Sequence, residues 1–408
     1  MNCRFCNHPL SIVFIDLGET PPSNSFLSKD DLNKPEYLFP LKLFVCDKCF
    51  LVQVDEFKRA SEIFSEEYIY FSSYSTSWLA HAKRYSEMMI QRFHFDEQSQ
   101  VIEIASNDGY LLQYFNEKNI PVLGVEPTLG TAKAARAKGI ETLTEFFGTD
   151  LSKKLSDQNR KADLLLGNNV LAHVPDINDF VSGMKMILKP NGVITMEFPH
   201  LVKLIAENQF DTIYHEHFSY LSFTTVKNIF NHHGLDLFDV EELPTHGGSL
   251  RIFAKHSEDK TKAIEKNVSV LLEEENQLGV TNLNYYIGFQ QRAEKIRTEL
   301  LAFLLKAKSE EKKICAYGAA AKGNTLLNYC NIKSNLISFV VDASPYKQGK
   351  YLPGSHIPVL NESELKKFHP DFIVILPWNI QDEIIRQLNY VRSWNSKFVL
   401  AIPSLKIL

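Results

Sequence analysis

The chain has 408 residues, a formal net charge of -5 and a hydrophobic content of 44%. This length exceeds one ordinary core and predicts two or three domains. The acidic balance argues against nucleic-acid binding, which needs a basic face. No apolar run approaches the roughly 18 to 20 residues of a membrane span, and the first residues lack a signal-peptide layout. We therefore expect a globular, cytoplasmic, reduced protein that binds neither nucleic acid nor membrane.

Two CxxC pairs stand near the start of the chain, Cys3 with Cys6 and Cys46 with Cys49. Four thiolates are the number that a tetrahedral structural zinc requires, and each pair places two sulfurs on one tight turn. The surrounding sequence is rich in turns and short apolar segments, so a small core would gain stability from a metal. Four sulfur ligands leave no open position, which predicts a structural role. The alternative is four unrelated buried cysteines.

Strand and helix patterns alternate through the middle of the chain. Strands are predicted at 100–105, 122–126 and 162–167, with helical patterns between them. The alternation predicts a parallel, doubly wound sheet that binds ligand at the carboxyl ends of its strands. The turn at 106–109 has one glycine instead of GxGxxG, which disfavours a dinucleotide. Glu126 ends the second strand, where a carboxylate can accept both hydroxyls of a ribose.

This layout resembles class I S-adenosylmethionine-dependent methyltransferases. Glu103-x-Ala105-x-Asn107-x-Gly109 matches their first motif, and Glu126 matches their ribose-binding acid. Ala105 stands where most members have glycine, so its methyl group should narrow the approach to the cofactor. A nicotinamide-dependent enzyme is the alternative. The resemblance implies a cofactor site that consists of Glu103, Ala105, Asn107, Gly109, Glu126, Asn168 and Asn169.

Residues 214–220, Tyr-His-Glu-His-Phe-Ser-Tyr, are called the histidine segment below. Imidazole titrates near neutrality, which suits proton transfer. A carbon acceptor needs a base before it can take a methyl group, whereas an oxygen or nitrogen acceptor often needs little beyond positioning. The segment therefore indicates carbon methylation. Tyr214 can donate to an oxyanion, and Glu216 can orient an imidazole or hold a substrate hydroxyl.

Several choices about the histidines stay open at this point. The residues alone do not distinguish His215 from His217 as the base. His173 follows the third predicted strand and can face the same cleft, or it can be an ordinary loop histidine. A solvated loop with satisfied histidines is the alternative for the whole segment.

A glycine-containing turn, residues 245–251, leads into a predicted strand. Its two glycines allow close backbone approach to a ligand. Ser249 offers a hydroxyl and Arg251 a fixed cation, so with His246 they predict binding of a phosphate or of sugar hydroxyls. A plain β-turn is the alternative.

The carboxyl-terminal part begins with a charged helical stretch from 259 to 310, predicted as two helices with solvated charges. Four more strands then alternate with helices and predict a second Rossmann-like unit. The loop at 318–325 opens a helix, where free N–H groups and the helix dipole favour an anion, and Lys322 adds a charge. Asp342 ends the next strand. A nucleotide is the expected ligand, and a packing-only domain is the alternative.

Taken together, the chain resembles the sugar 3-C-methyltransferase family over its whole length. The specific parts are the histidine segment and the loop at 318–325. The resemblance implies an α/β chain of three parts: a zinc-binding module at 1–65, a class I methyltransferase domain of Rossmann-like fold at 66–255, and a helical linker with a second Rossmann-like domain at 256–408.

The same resemblance implies the chemistry. His217 is the expected general base that removes the C3 proton of a nucleotide-diphosphate-linked 4-keto-deoxysugar. The expected residues around the sugar are Tyr214, Glu216, His173 and Tyr68. The expected substrate-binding residues are His246, Ser249, Arg251, Gly318, Ala319, Lys322, Asn324 and Asp342. The cofactors are S-adenosylmethionine and a structural Zn²⁺. An O- or N-methyltransferase and a non-catalytic ligand-binding protein are the alternatives, and a monomer is possible.

Overall fold

The computed structural model describes residues 1–57 and 71–408. Tyr68 lies outside the described residues. Within these two ranges, no helix combines the length and the apolar character needed to cross a bilayer. The described strands form three sheets of four, seven and six strands.

Strands and helices follow one another along the described chain. The strands are β1 (Ile12–Thr20), β2 (Phe39–Val45), β3 (Val52–Val54), β4 (Val101–Ile104), β5 (Val122–Val125), β6 (Thr142–Leu143), β7 (Ala162–Asn168), β8 (Leu188–Pro199), β9 (Ser219–Tyr220), β10 (Leu235–Leu243), β11 (Ser249–His256), β12 (Ile314–Tyr317), β13 (Val340–Val341), β14 (Val359–Leu360), β15 (Phe372–Ile375), β16 (Lys397–Leu400) and β17 (Lys406–Ile407). The helices are α1 (Thr76–Phe93), α2 (Leu112–Asn116), α3 (Leu129–Ala137), α4 (Thr149–Asp157), α5 (Ile177–Ile187), α6 (Leu201–Ala206), α7 (Phe223–His232), α8 (Lys266–Leu278), α9 (Phe289–Ser309), α10 (Ala321–Tyr329), α11 (Glu364–Phe368) and α12 (Gln381–Gln387).

The N-terminal sheet is antiparallel, in the order β1-β2-β3-β9. Its fourth strand belongs to the histidine segment, because Tyr220 pairs with Val52 and Ser219 pairs with Gln53. The buried residues of β2 alternate along the strand, as expected for a sheet with one face on a core. The histidine segment is thus anchored to the zinc-binding module by backbone hydrogen bonds.

The seven-stranded sheet has the order β10-β11-β8-β7-β4-β5-β6. Neighbours from β8 to β6 are parallel, and β11 is antiparallel to both β8 and β10. The three strands predicted in this part correspond to β4, β5 and β7, so the predicted doubly wound sheet is confirmed. The carboxyl ends of the parallel strands meet at one side of the sheet, called the first carboxyl edge below.

The six-stranded sheet has the order β14-β13-β12-β15-β16-β17. All neighbours are parallel except β16 and β17, which confirms a second Rossmann-like unit. Its carboxyl ends form the second carboxyl edge. The buried residues Ala293, Ile296 and Leu300 of α9 share one hydrophobic core with the N-terminal sheet and the six-stranded sheet.

The two predicted linker helices are α8 and α9, and Gly279 ends α8 in the left-handed conformation at φ 81°. Their charges were expected to be solvated, and Glu275 is an exception because only 1% of it is exposed. Its carboxylate accepts hydrogen bonds from the backbone amides of Phe223 and Thr224, each at 2.7 Å, and lies 2.7 Å from His200 Nε2. A linker carboxylate thus caps α7 in the methyltransferase part.

Candidate active site

The four predicted metal ligands converge. Cys3 Sγ lies 3.5 Å from Cys49 Sγ, Cys6 Sγ lies 3.5 Å from Cys46 Sγ, and all four sulfurs lie within 4.8 Å of one another. Zinc–sulfur bonds of about 2.3 Å in a tetrahedron require sulfur separations of about 3.8 Å. None of the four forms a disulfide. The arrangement fits a closed structural zinc, and it has no open position for catalysis.

A cavity opens at the first carboxyl edge, over the ends of β4, β5 and β7. Five of the seven predicted cofactor residues line it. These are Ala105, Asn107, Glu126, Asn168 and Asn169, and they are joined there by Trp78, Tyr110, Phe147 and His173.

The turn after β4 lines this cavity, and its backbone conformation is unusual. Ala105 and Asn107 have φ angles of 56° and 50°, a left-handed conformation that costs an alanine roughly 1 to 2 kcal/mol. The Glu126 carboxylate accepts hydrogen bonds from the amides of Asn107 and Thr128, both at 2.9 Å. The Thr128 hydroxyl also donates to this carboxylate. Since a carboxylate has about four acceptor sites, Glu126 retains capacity for about one ribose hydroxyl without displacing a present donor.

Glu103 and Gly109 lie outside the cavity lining. A Cβ at Gly109 would come within 2.4 Å of Ile140 Cδ1, and its φ is 73°, so the glycine permits packing under the turn rather than approach to a ligand. Glu103 is fully buried, and its pKa is raised well above the usual value by burial and by the charges of Glu126 and Asp108. Both residues support the turn from beneath.

The side-chain amides of two asparagines show whether the cavity fits the cofactor. Asn168 Nδ2 and Asn169 Oδ1 are buried, and neither has a hydrogen-bond partner among the described residues. An unsatisfied buried polar atom costs about 1 to 3 kcal/mol. A ligand with an amino group and a carboxylate, such as the methionine end of S-adenosylmethionine, offers a partner to each. The residues present therefore fit this cofactor.

The structure brings His217 next to His173 and Tyr214. Ring centroids are 4.6 Å apart for the two histidines and 4.1 Å apart for Tyr214 and His217. His173 Nδ1 lies 2.8 Å from the carbonyl oxygen of Glu216. Burial lowers the pKa of His173 to about 4 and holds the pKa of His217 well below its usual value. Both imidazoles are consequently neutral at pH 7.

His215 faces away from this pair. Its Nε2 lies 3.3 Å from the carbonyl oxygens of Phe39 and Pro40, and its ring meets Phe39 edge-on. Residues 215–216 form a turn, which is closed by a hydrogen bond from the His217 amide to the Tyr214 carbonyl at 3.0 Å. Because of this turn, the imidazole of His217 packs on His173 while that of His215 reaches β2. The geometry thus separates two histidines that the residue pattern left equivalent.

Glu216 has a partner that sequence reasoning missed. Asn24 Nδ2 donates to its two carboxylate oxygens, at 3.2 and 3.3 Å. Asn24 lies in the N-terminal module, between β1 and β2, and its sequence carries no signal beyond a proline-rich turn. The zinc-binding module therefore contributes a side chain to the site.

A second cavity adjoins the first at Trp78, which lines both. His246 lines the second cavity, and its Nε2 lies 2.8 Å from Nδ2 of Asn169 in the first. Asn379 reaches the same cavity from the carboxyl-terminal domain. Burial lowers the pKa of His246 to about 4, so this imidazole is also neutral.

Ser249 and Arg251 make internal contacts at this position. The Arg251 guanidinium lies 2.8 Å from both the Glu197 and Glu241 carboxylates, and it stacks 4.7 Å from the Tyr85 ring. Ser249 Oγ donates to the Thr245 carbonyl at 2.9 Å. The structure pairs Arg251 with two carboxylates, and its side chain also lines the second cavity, so its role in ligand binding stays a prediction.

Further residues that sequence reasoning missed surround this ion pair. His81 Nε2 lies 2.9 Å from Glu197 Oε2, and Thr245 Oγ1 donates to Glu197 Oε1 at 2.9 Å. His81 also stacks on Trp78 with ring centroids 4.9 Å apart. A lone histidine on a helix and a glutamate inside a strand gave no pattern from which this network could have been predicted.

At the second carboxyl edge, the predicted residues are engaged by other groups of the protein. Asp342 Oδ2 accepts from the Ala319 amide at 2.7 Å, and Asn324 Nδ2 donates to the Ser23 carbonyl at 2.6 Å. Gly318 has a φ of 88°, and a Cβ there would come within 2.5 Å of Pro377 Cδ. These contacts hold the loop against its neighbours.

Lys322 reaches toward the first edge. Its Nζ donates to Asn379 Oδ1 at 2.7 Å and lies 4.6 Å from the Trp378 ring centroid. Trp378 Nε1 in turn donates to Asp211 Oδ2 at 2.7 Å, three residues before the histidine segment. Burial lowers the pKa of Lys322 and raises that of Asp211 to about 6. Two residues missed by sequence reasoning, Asp211 and Trp378, thus connect Lys322 to the site.

A sheet in this order, with such a cavity at its carboxyl edge, is the architecture of an S-adenosylmethionine-dependent methyltransferase, and a methyltransferase domain model matches residues 78–240. A zinc binding domain model matches residues 3–64, and a model of the C-methyltransferase C-terminal domain matches residues 244–403. The chain is 31% identical over 406 residues to C-methyltransferase NovU of Streptomyces niveus, a match that covers 100% of this chain and 96% of the relative. The chain belongs to the sugar C-methyltransferase family that its motifs indicated. It is an S-adenosylmethionine-dependent C-methyltransferase with a structural zinc.

Other similarities are shorter. A ubiquinone biosynthesis O-methyltransferase of Bartonella quintana (strain Toulouse) is 25% identical over 99 residues, 24% of this chain and 40% of the relative. The crystal structure of the PH0226 protein from Pyrococcus horikoshii OT3 superposes with a TM-score of 0.39 and 15% identity, over 49% of this chain and 99% of that chain.

Proposed function

We propose that the protein methylates C3 of a nucleotide-diphosphate-linked 4-keto-deoxysugar, and that His217 is the base. The observation that carries the proposal is the contact between two buried neutral imidazoles, His217 and His173, with ring centroids 4.6 Å apart beside the cofactor cavity. An oxygen or nitrogen acceptor has little need of such a base. Carbon methylation of a ketone needs one, because the C3–H bond must first be broken.

His217 suits proton abstraction for two reasons. Its lowered pKa keeps the imidazole unprotonated at neutral pH. The Thr212 carbonyl accepts a hydrogen bond from one ring nitrogen, which fixes the tautomer and leaves the other nitrogen as an acceptor. That nitrogen takes the C3 proton, and the electron pair of the C3–H bond is delocalised onto the 4-keto oxygen as an enolate.

Bound S-adenosylmethionine supplies an electrophilic methyl group on a sulfonium. C3 of the enolate forms the new carbon–carbon bond as the methyl–sulfur bond breaks, and the electron pair of that bond remains on sulfur. His217 then releases its proton to solvent and is ready for another turnover. Asn168 and Asn169 hold the cofactor's methionine end through the amide atoms that lack partners in the described chain.

Tyr214 and Glu216 position the sugar. Tyr214, with its ring 4.1 Å from His217, donates to the developing oxyanion at C4. Glu216, held by Asn24, accepts a sugar hydroxyl. His173 fixes the turn by its contact with the Glu216 carbonyl. Tyr68, which lies outside the described residues, keeps its proposed place around the sugar by family resemblance.

A nucleotide-linked acceptor is supported by the second cavity, which is lined by residues of both Rossmann-like units. The second cavity receives residues from both Rossmann-like units, Trp78 and His246 from one and Asn379 from the other. Lys322 adds a cation beside it, which suits a diphosphate. Gly318, Ala319, Asn324 and Asp342 complete the proposed nucleotide side. A sugar without a nucleotide would not require these additional binding residues.

The test is a screen of nucleotide-linked 4-keto sugars with carbon-13-labelled S-adenosylmethionine, read by mass and by carbon NMR. We expect one added methyl group bonded to carbon. In heavy water without cofactor, we also expect deuterium to enter at C3, and His217→Asn to abolish this exchange. A new O-methyl or N-methyl product, with no C3 exchange, would overturn the proposal in favour of an O- or N-methyltransferase.

A further inference from the structure

Arg4 stands inside the first CxxC pair, between Cys3 and Cys6, and its backbone is held on both sides. Its amide donates to Gln53 Oε1 at 2.9 Å, and its carbonyl accepts from Asn178 Nδ2 at 3.2 Å. Because the two flanking cysteines bind the metal, the position of the Arg4 backbone is set by the zinc site.

The Arg4 side chain leaves the zinc site and ends between two loops of the active site. Nη1 donates to the Pro175 carbonyl and Nη2 donates to the Val54 carbonyl, both at 2.7 Å. The guanidinium carbon lies 5.3 Å from the ring centroid of Phe218. Pro175 follows His173 by two residues, and Phe218 follows His217 directly.

We propose that Arg4 is a positioning residue, through which the zinc site holds the His173 loop and the His217 loop at their working separation. The inference rests on the proposed function, in which His217 is the base. It assigns the zinc-binding module a part in turnover that goes beyond stabilising its own fold.

Two loops from different parts of the chain need more than one connection to fix their relative orientation. His173 follows β7 and His217 precedes β9, and the His173–Glu216 contact of 2.8 Å joins them directly. Arg4 supplies the second connection, since its planar fork contacts Pro175 on one side and Val54 on the other. Val54 in turn donates its amide to the Phe218 carbonyl at 3.1 Å.

Among the described residues, the guanidinium donates hydrogen bonds to backbone carbonyls alone, while its charge also interacts with the nearby carboxylates of Glu56, Asp55 and Asp176. Its Nε is buried without a hydrogen-bond partner there, while the other two nitrogens are committed to the two carbonyls. The carbonyls belong to backbone rather than to a carboxylate, so the contact fixes chain geometry instead of neutralising a charge. Misplacement of a catalytic group by about 1 Å can cost on the order of 100-fold in rate.

The main test compares Arg4→Met with Arg92→Met. Arg92 is a matched control because its guanidinium also makes a 2.7 Å contact, to Asp239, and lies 4.5 Å from an aromatic ring, that of Phe253. It stands in the last turn of α1, away from the first carboxyl edge. We expect Arg4→Met to keep about one zinc per chain and to lower kcat about 30-fold or more. The acceptor KM and the binding of S-adenosylhomocysteine should change by about threefold or less. Arg92→Met should leave kcat unchanged.

A ligand-free measurement separates this inference from the proposed function. With nitrogen-15-labelled histidine in the zinc-loaded protein, Arg4→Met should shift the imidazole signals of His173 and His217. The signal of exposed His369, which stacks on Trp394, should stay in place, and Arg92→Met should move none of the three. If the wild type fails to methylate any 4-keto sugar, the proposed function falls, and the imidazole signals still decide the role of Arg4.

The inference is overturned if Arg4→Met retains zinc, kcat and both imidazole signals, whatever happens to its melting temperature. If Arg4→Met does not fold, Arg4→Lys decides the question, because it keeps the charge and one donor but cannot span both carbonyls. A fall in kcat of about fivefold or more, with both imidazole signals shifted, supports the inference. Unchanged kcat and signals in Arg4→Lys overturn it.

Discussion

The two carboxyl edges of this protein share one local design and differ in what surrounds it. At the first edge, the amide of Asn107 donates to Glu126 at the end of the next strand, and at the second edge, the amide of Ala319 donates to Asp342 in the same manner. Both turns place a small residue after a buried parallel strand. The first turn opens onto a cavity, whereas Pro377 packs over the second.

The strand order creates a possible ligand site at each carboxyl edge. The neighbouring loops determine whether that site remains open as a cavity. At the first edge, Asn168 and Asn169 retain buried amide atoms without partners in the described chain, and the histidines are neutral by burial. At the second edge, Asp342 and Asn324 already have partners within the protein, and Lys322 extends toward the first edge. Substitutions at each edge test this difference between the two edges.

The largest effect is expected at the two histidines of the histidine segment. His217→Asn should lower kcat about 10³-fold, because general-base catalysis contributes on the order of 10² to 10⁴. His215→Asn should stay within about tenfold, since His215 faces β2. Turnover of the labelled acceptor measures both, with S-adenosylhomocysteine binding as the control for folding. A larger loss in His215→Asn would identify the wrong base in our proposal.

The next effect concerns Arg251, whose two terminal guanidinium nitrogens already donate to carboxylates. Arg251→Met should reduce the free energy of unfolding by about 3 to 5 kcal/mol, because it leaves the buried Glu197 carboxylate without its cation and also removes the ion pair to the half-buried Glu241. The acceptor KM should change by less than about threefold at a temperature where the variant is folded. Denaturant titration and steady-state kinetics measure the two quantities. A large rise in KM with normal stability would restore Arg251 as a ligand-binding cation.

The two acids at equivalent positions give the direct comparison between the edges. Glu126→Ala should weaken S-adenosylmethionine binding by about 10- to 100-fold, because charge-assisted hydrogen bonds to the ribose are each worth about 1.5 to 3 kcal/mol. Asp342→Ala should leave cofactor binding unchanged and raise the acceptor KM by only about two- to fivefold. Calorimetry and kinetics on both variants decide. Equal losses of cofactor affinity in the two variants would contradict the proposal that the first edge binds the cofactor and the second edge binds the acceptor.

The smallest effect is expected in the pH dependence. The active form of His217 is the neutral imidazole, and burial holds its pKa well below the usual value. The base is therefore lost only as pH falls through this lowered pKa, so kcat/KM should vary by no more than about twofold between pH 7.5 and 6 and decline below that range. Cofactor binding at each pH controls for unfolding. An acid limb at the ordinary histidine pKa would show that His217 is solvated in the working enzyme.

Much of the local structure followed from residue patterns. The CxxC spacing, the strands β4, β5 and β7, the two linker helices and the second Rossmann-like unit were predicted because each depends on nearby residues. The exceptions depended on distant ones. Glu275 looked like a solvated helix charge and is buried, since α7 presents unsatisfied amides to it. Arg251 was predicted as a ligand-binding cation, and its two ion pairs were not foreseen, because β8 and β10 each place a glutamate beside it only in the folded sheet.

The sequence by itself determined the classes of chemistry, namely four sulfurs for a metal, an acid for a ribose and an imidazole for a proton. The residues alone, without the family resemblance, left His217 and His215 equivalent. The tertiary structure separates them, because the turn that leads into β9 places His217 against His173 and His215 against β2. It alone brought Asn24, Lys322 and Arg4 to the same site from three separate parts of the chain. Periodicity reports the face of one element, whereas contacts between elements depend on how whole domains pack.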